Sequence, residues 1–276
     1  MYSGITLRNS SGNVMGAHQK IDRVARKHLS LSLPETINFP TAREILMFEG
    51  KNGADGIKSK SPARDEPWHY IDPTDASDRS LIILIEDHLA NLTNALVSDN
   101  RERAAFEAAW LAHAIVDGLT PAHHYPLQEK LEELRGGEGL ETRTTYRKKI
   151  VMPGTGPRQR LRNNWEFWGA KGVMTTHVLF EIGVASTIAS QSFDSARPSG
   201  NDRVRVENDG FTQLYLEALA NIHHLGMYEV FQTKGWTRDL ARQTKHDLAP
   251  VIIRMVTLAW HVAALKAADK KDRITV

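Results

Sequence analysis

Apolar residues recur at three- and four-residue steps through every long segment of this chain, and no segment alternates convincingly as a half-buried strand would. That period runs over Val14–Leu31, Ser77–Val97, Arg101–Val116, Pro121–Leu134, Asn163–Ala189, Phe211–Phe231 and Thr237–Ala268. Thr41 caps a further short helix ending at Phe48. Leu81 to Ile85 is apolar enough for a strand, but the helical period around it and the lack of any partner strand decide against one. The chain therefore reads as all-α, a single multi-helical domain over 1–276 with no internal repeat. At 276 residues, 41% apolar and 25% charged, it has ample material for one large buried core.

Between the helices lie three breaks. Glu49 to Pro73 is a Gly/Lys/Pro-rich loop, and Gln191 to Asp209 reads as a second loop. Glu141 to Arg162 is a basic connector with PGTGP in its middle, where seven Lys/Arg oppose one Glu. The net charge of +2 is too small to imply nucleic acid as a partner. The N-terminal sequence lacks the pattern of a signal peptide, so the chain reads as cytoplasmic, or as secreted if a leader has been trimmed. Leu248 to Ala267 is apolar, but Pro250, Arg254 and His261 argue for a buried helix and against a transmembrane segment.

The chemistry concentrates in Leu111 to Tyr125, LAHAIVDGLTPAHHY. His113 and Asp117 lie one helical turn apart, about 40° from each other. His123 would point about 80° away from His113 on a straight helix, but Gly118 and Pro121 permit a break that brings the three side chains together. Imidazole and carboxylate at such spacing suit zinc. The chain has no cysteine, so any zinc must be held by His and carboxylates.

With 12 His and 33 Asp+Glu, chance gives roughly one H-x-x-x-[DE] pair. The chain has His18/Asp22, His113/Asp117 and His177/Glu181. His18, Asp22 and His28 repeat the longer H-x3-D-x5-H spacing, but no Gly or Pro bends that segment, so His28 should point elsewhere and Asp22 should be a solvated partner of Arg26. His124, His223, His224, His246 and His261 read as core or surface histidines, and Trp165, Phe167 and Trp168 as helix packing. Asp55 in the long loop and His69 in EPWHYIDP complete the candidates.

In chain order His18, Asp55, His69, His113, Asp117, His123, His177 and Glu181 resemble the ligand set of the zinc-dependent phospholipases C of bacteria and the related fungal single-strand-specific nucleases. The resemblance covers about Gly16 to Val184. Its most specific part is HAIVDGLTPAH, similar to the family's H-x-x-x-D-x-x-x-P-x-H signature; the D-x13-H spacing of Asp55 and His69 and the closing H-x-x-x-E look closer to the bacterial phospholipase C branch.

The resemblance implies an all-helical metal-dependent hydrolase holding two or three zinc ions. One would take Asp55, His69, His113 and Asp117; a second His123, His177 and Glu181; a third His18 and a share of Asp117. In the family an N-terminal Trp also holds the third ion through its amino group and carbonyl. This chain instead begins Met1-Tyr2, well upstream of His18, and its gap from His123 to His177 is longer than in either branch.

Three carboxylates against two or three Zn²⁺ leave a cavity of about +1 or +3 formal charge, attractive to a phosphate diester. The expected reaction is phosphoric ester hydrolysis in which metal-bound hydroxide attacks phosphorus, with Asp55 as assisting base by resemblance. The expected substrate is a phosphate ester, a phospholipid headgroup ahead of nucleic acid, with transient contact to a membrane surface. A nuclease or phosphomonoesterase, or a non-catalytic zinc-containing binding protein, is the alternative.

Overall fold

A computed structural model describes residues 1, 16–57, 69–124, 127–139 and 142–275. Every regular element among them is helical, and no strand occurs among the described residues. The remainder of the N-terminal segment, the 58–68 part of the long loop, and Tyr125 and Glu141 lie outside them.

Two long helices form the centre. Helix α5 (Arg101–Gly118) is buried on nearly every side, and α14 (Ala249–Thr275) crosses it. Ala104, Ala108 and Ala112 are all but inaccessible, and their small side chains let neighbouring helices approach closely. Into that space goes fully buried Trp260 of α14, whose indole N–H donates to the Ala108 carbonyl at 3.0 Å. Helices α1 (Ala17–Leu29) and α4 (Ser80–Val97) pack on both, burying Ile21, Ala25 and Leu29 from one and Leu81, Ile85 and Leu92 from the other. Burying each such Leu or Ile contributes about 1.5–3 kcal/mol. Two stretches are long and apolar enough to cross a membrane by length and composition, Ser80–Val97 and Arg238–Ile274; the apolar windows in them are 50% and 78% buried inside the fold, as core helices are.

Smaller helices complete the chain: α2 (Ala42–Leu46), α3 (Ala54–Ile57), α6 (Leu127–Leu134), α7 (Tyr146–Ile150), α8 (Pro157–Trp168), α9 (Val173–Ile188), α10 (Gly200–Asp209), α11 (Phe211–His223), α12 (Met227–Lys234) and α13 (Arg238–Gln243). Thr41 forms the expected cap of α2, as a full capping box with Glu44.

Several boundaries differ from the sequence reading, each for a local reason. The segment expected as one helix from Asn163 to Ala189 is split by Gly169 and Gly172 into α8 and α9. The basic connector is itself partly helical, containing α7 and the start of α8, with Pro157 in the first helical turn where its missing N–H costs nothing. The expected loop after Gln191 contains α10, a polar helix opened by a capping box of Ser199 and Asp202 that periodicity could not find. Gly226, at φ 57°, ends the run that began at Phe211. Before Pro250, a π turn over Thr244–Leu248 carries α13 into α14, with the Ala249 N–H reaching the Thr244 carbonyl.

One glycine fixes how closely α5 meets α11. A Cβ on Gly118 would lie 1.9 Å from the Tyr215 hydroxyl and 2.6 Å from a Leu81 methyl. Gly118→Ala should therefore cost about 1–3 kcal/mol through overpacking and lower the melting temperature by about 2–6 °C. Calorimetry on the two proteins measures it, and an unchanged melting temperature would show that the helices are not this close.

Candidate metal centre

The break after α5 has the effect its Gly and Pro suggested. The helix continues to Gly118; the Thr120 hydroxyl then donates to the Val116 carbonyl at 2.6 Å, and a 3-10 turn over Pro121–His124 reverses the chain. This turn carries the His123 ring back toward Asp117, with Nε2 3.7 Å from Oδ1. His123 Nδ1 donates to the His69 carbonyl at 2.5 Å, which fixes the tautomer and leaves Nε2 facing inward. In return the Ile71 N–H donates to the His123 carbonyl, tying the end of the long loop to the turn.

Eight side chains predicted from separate parts of the sequence meet here. Three groups have ligand atoms within 4.8 Å of one another: His18, His113 and Asp117; Asp55, His69 and His113; and His123, His177 and Glu181. Asp117 is the hub. Its Oδ2 lies 2.5 Å from His69 Nδ1 and 3.1 Å from His113 Nε2, and its Oδ1 3.3 Å from His18 Nε2. On α9, His177 and Glu181 face inward one turn apart, and Glu181 Oε1 is 2.9 Å from both His177 Nε2 and His123 Nε2. Asp55, on α3, sits at the edge, 3.8 Å from His113 Nε2, with its side chain 30% exposed against 1% for Asp117.

The ligand atoms of each group stand close enough together to hold one ion. Nitrogen and oxygen ligands about 2.0–2.1 Å from Zn²⁺ stand roughly 3.3 Å from one another along the tetrahedron's edges. The donor separations of 2.9–3.3 Å between His18 and Asp117, His113 and Asp117, and within the His123–His177–Glu181 group are close to that length.

Met1 was not expected here. Its amino group is buried against Asp117 Oδ1, and lies 3.2 Å from both His123 Nε2 and Glu181 Oε1. Its carbonyl oxygen is 2.7 Å from His18 Nε2. Its distance in sequence from His18 points away from the site; the structure instead puts residue 1 between Asp117, His123 and Glu181, with its carbonyl against His18.

Asp22 is also corrected. It is fully buried, and Arg26 instead donates to the Pro40 carbonyl at 2.6 Å. Burial first, and the neighbouring Glu49 second, push the Asp22 carboxyl well above the ordinary range. Buried Glu49 places Oε2 3.5 Å from His113 Nδ1, a carboxylate behind an imidazole of the kind that orients metal-bound histidines. Neither Asp22 nor Glu49 was identified from the sequence. The H-x-x-x-D pair at His18 was a signal for Asp22; Glu49, just beyond a short helix, had none.

Electrostatics divide the imidazoles. Burial pulls His113 down, but Asp117 and Asp55 more than offset it and hold it well above its usual value. His123 is lowered to about 4, by burial first, with the Met1 amine and His177 adding to it. Burial opposes the charge on the Met1 amine, yet Asp117, Glu181 and Asp55 raise it to about 10. Burial would raise Asp117, but the Met1 ammonium, His123 and His113 hold it well below the carboxylate range. The carboxylates of the pocket thus favour positive charge at His113 and the Met1 amine, but not at His123.

The other histidines lie elsewhere. His28 points away, as expected, into a separate cavity of about 460 Å³ shared with Arg203 and His261, about 15 Å along α1 from His18. His124 donates to the Gly118 carbonyl at 2.9 Å, and His88 pairs with Glu107 at 2.5 Å. Of the aromatic group, only Phe167 is packing; Trp165 and Trp168 are 69% and 45% exposed.

A scan against protein-family models finds no match to this chain, and a search of curated proteins finds none either.

Proposed function

We propose that this protein is a zinc-dependent phosphoric ester hydrolase of the phospholipase C type. The observation that carries the reading is the convergence of His18, Asp55, His69, His113, Asp117, His123, His177 and Glu181, each resembling a family ligand by position, into three adjoining groups around one carboxylate.

Zinc held here would acidify water and neutralise the phosphoryl charge. The chain's own residues do the rest. Asp117 reaches His69 and His113 with one oxygen and His18 with the other, and would contribute a ligand to cations held on either side. His123, held neutral, presents Nε2 without a proton to lose. Asp55, the most exposed carboxylate of the groups, would take a proton from water arriving at the edge, the role the resemblance implies for it.

The test is metal quantification on purified protein, followed by turnover of bis-p-nitrophenyl phosphate, a short-chain phosphatidylcholine and single-stranded DNA. Two or three zinc ions per chain and hydrolysis of the diester and the phospholipid are expected. Asp55→Asn should lower turnover about 10²–10⁴-fold and shift the acid limb of the pH profile. Zinc without turnover on any substrate would leave a structural zinc protein and end the enzyme reading.

A further inference from the structure

We propose that α8 is an interfacial helix that binds an anionic lipid surface. On a 3.6-residue helix Leu161, Trp165 and Trp168 fall within about 60° of one another. All three are exposed, Leu161 at 73%, and Ile150 at the end of α7 extends the patch. Isolated exposed apolar residues need no explanation; a stripe of one Leu and two Trp along a single helical face does.

The charges around the stripe identify its partner. Arg158 and Arg162 flank it on one side, about 60° and 100° from Leu161, and Arg160 lies about 100° away on the other. All three are exposed, as are Arg147, Lys148 and Lys171 nearby. Glu166 is the one acidic residue between Thr142 and Gly172, where eight Lys/Arg occur. An apolar centre with Trp, bordered by Arg, is the pattern of a helix lying in a headgroup layer. Nucleic acid would use the arginines, but has no use for exposed Leu161 or Ile150.

The opposite face of α8 connects the stripe to the metal groups. Phe167 and Asn163 point inward and are buried. Phe167 packs in a small core with Leu127, Leu131, Leu134 and Met152, against which Tyr70 also rests. Tyr70 in turn stacks on His123, with ring centroids 5.0 Å apart and planes at 22°. The Trp168 indole N–H donates to the Ile150 carbonyl at 2.6 Å, joining α8 to α7 as one platform. Surface binding stands on this platform alone; its bearing on catalysis rests on the hydrolase reading.

Co-sedimentation of the full chain with phosphatidylcholine vesicles, with and without 30% phosphatidylserine, tests the proposal. Binding to the anionic vesicles should fall with added salt, and be at least tenfold weaker without phosphatidylserine. Leu161→Ser with Trp165→Ala should lose binding at least tenfold while keeping the wild-type melting temperature and turnover of soluble bis-p-nitrophenyl phosphate. Arg158→Gln with Arg160→Gln should weaken anionic binding about fivefold per charge. No wild-type binding to anionic vesicles, undiminished binding by the Leu161/Trp165 variant, or tighter binding of single-stranded DNA through the same residues would each overturn it. Vesicle binding without soluble turnover would leave α8 as proposed and remove the hydrolase.

Discussion

Asp117→Asn should strip the protein of at least two metal ions and lower turnover of bis-p-nitrophenyl phosphate by 10³-fold or more, equivalent to about 4 kcal/mol of transition-state stabilisation. Among the carboxylates of the three groups, no other reaches so many partners. One oxygen is 2.5 Å from His69 and 3.1 Å from His113; the other meets the Met1 amine and stands 3.3 Å from His18. An amide of the same shape keeps the packing, but offers one oxygen instead of two and no negative charge. It also leaves the buried Met1 ammonium without its closest counter-charge, so residue 1 should withdraw. Metal content by mass spectrometry and turnover, read together, decide the matter. If both survive the substitution, the hub assignment is wrong and the groups are held by other residues.

How much of this was legible in the sequence depended on whether the signal was local. The His113–Asp117–His123 geometry was, because an i,i+4 pair followed by Gly118 and Pro121 specifies both a shared face and a turn. His177 and Glu181 were legible for the same reason. His69 and Asp55 needed the family spacing, since nothing about a loop residue says where it points. Met1 could not be found this way, because no period in the sequence points to residue 1. Asp22 was misread because an i,i+4 arginine is a ready surface partner, whereas long-range packing against Glu49 and His113 decided its burial. The helical class was legible throughout. What failed were breaks at Gly169–Gly172 and Gly226, and polar α10, where capping rather than an apolar stripe makes the helix. Large aromatics on a helix usually pack, but Trp165 and Trp168 are exposed, a property of the surface that periodicity does not carry.

Removing metal should have the largest effect on stability. Asp117, Glu181, His18, His113, His123 and His177 are all buried, and the three carboxylates of the groups outnumber the single ammonium that the chain itself supplies to them. Divalent cations bound only by the folded chain stabilise it in proportion to the logarithm of their saturation, about 4 kcal/mol per ion at a thousand times its Kd. Two such ions contribute about 8 kcal/mol. In a chain of 276 residues each kcal/mol moves the melting temperature by about 2 °C, so chelation should lower it by roughly 15 °C. Zinc returned in excess of the chelator should restore it, and magnesium should not, because nitrogen donors and tetrahedral spacing favour the softer ion. Asp117→Asn should melt nearly alike with and without chelator. The control is Trp260→Ala, a change about 3–5 kcal/mol costly in the core that should leave the chelator-induced shift intact. A chelated wild type that melts within 2 °C of the untreated protein would mean that this pocket is stable as a hydrogen-bonded cluster of imidazoles, carboxylates and one ammonium, and holds no cation in the folded protein.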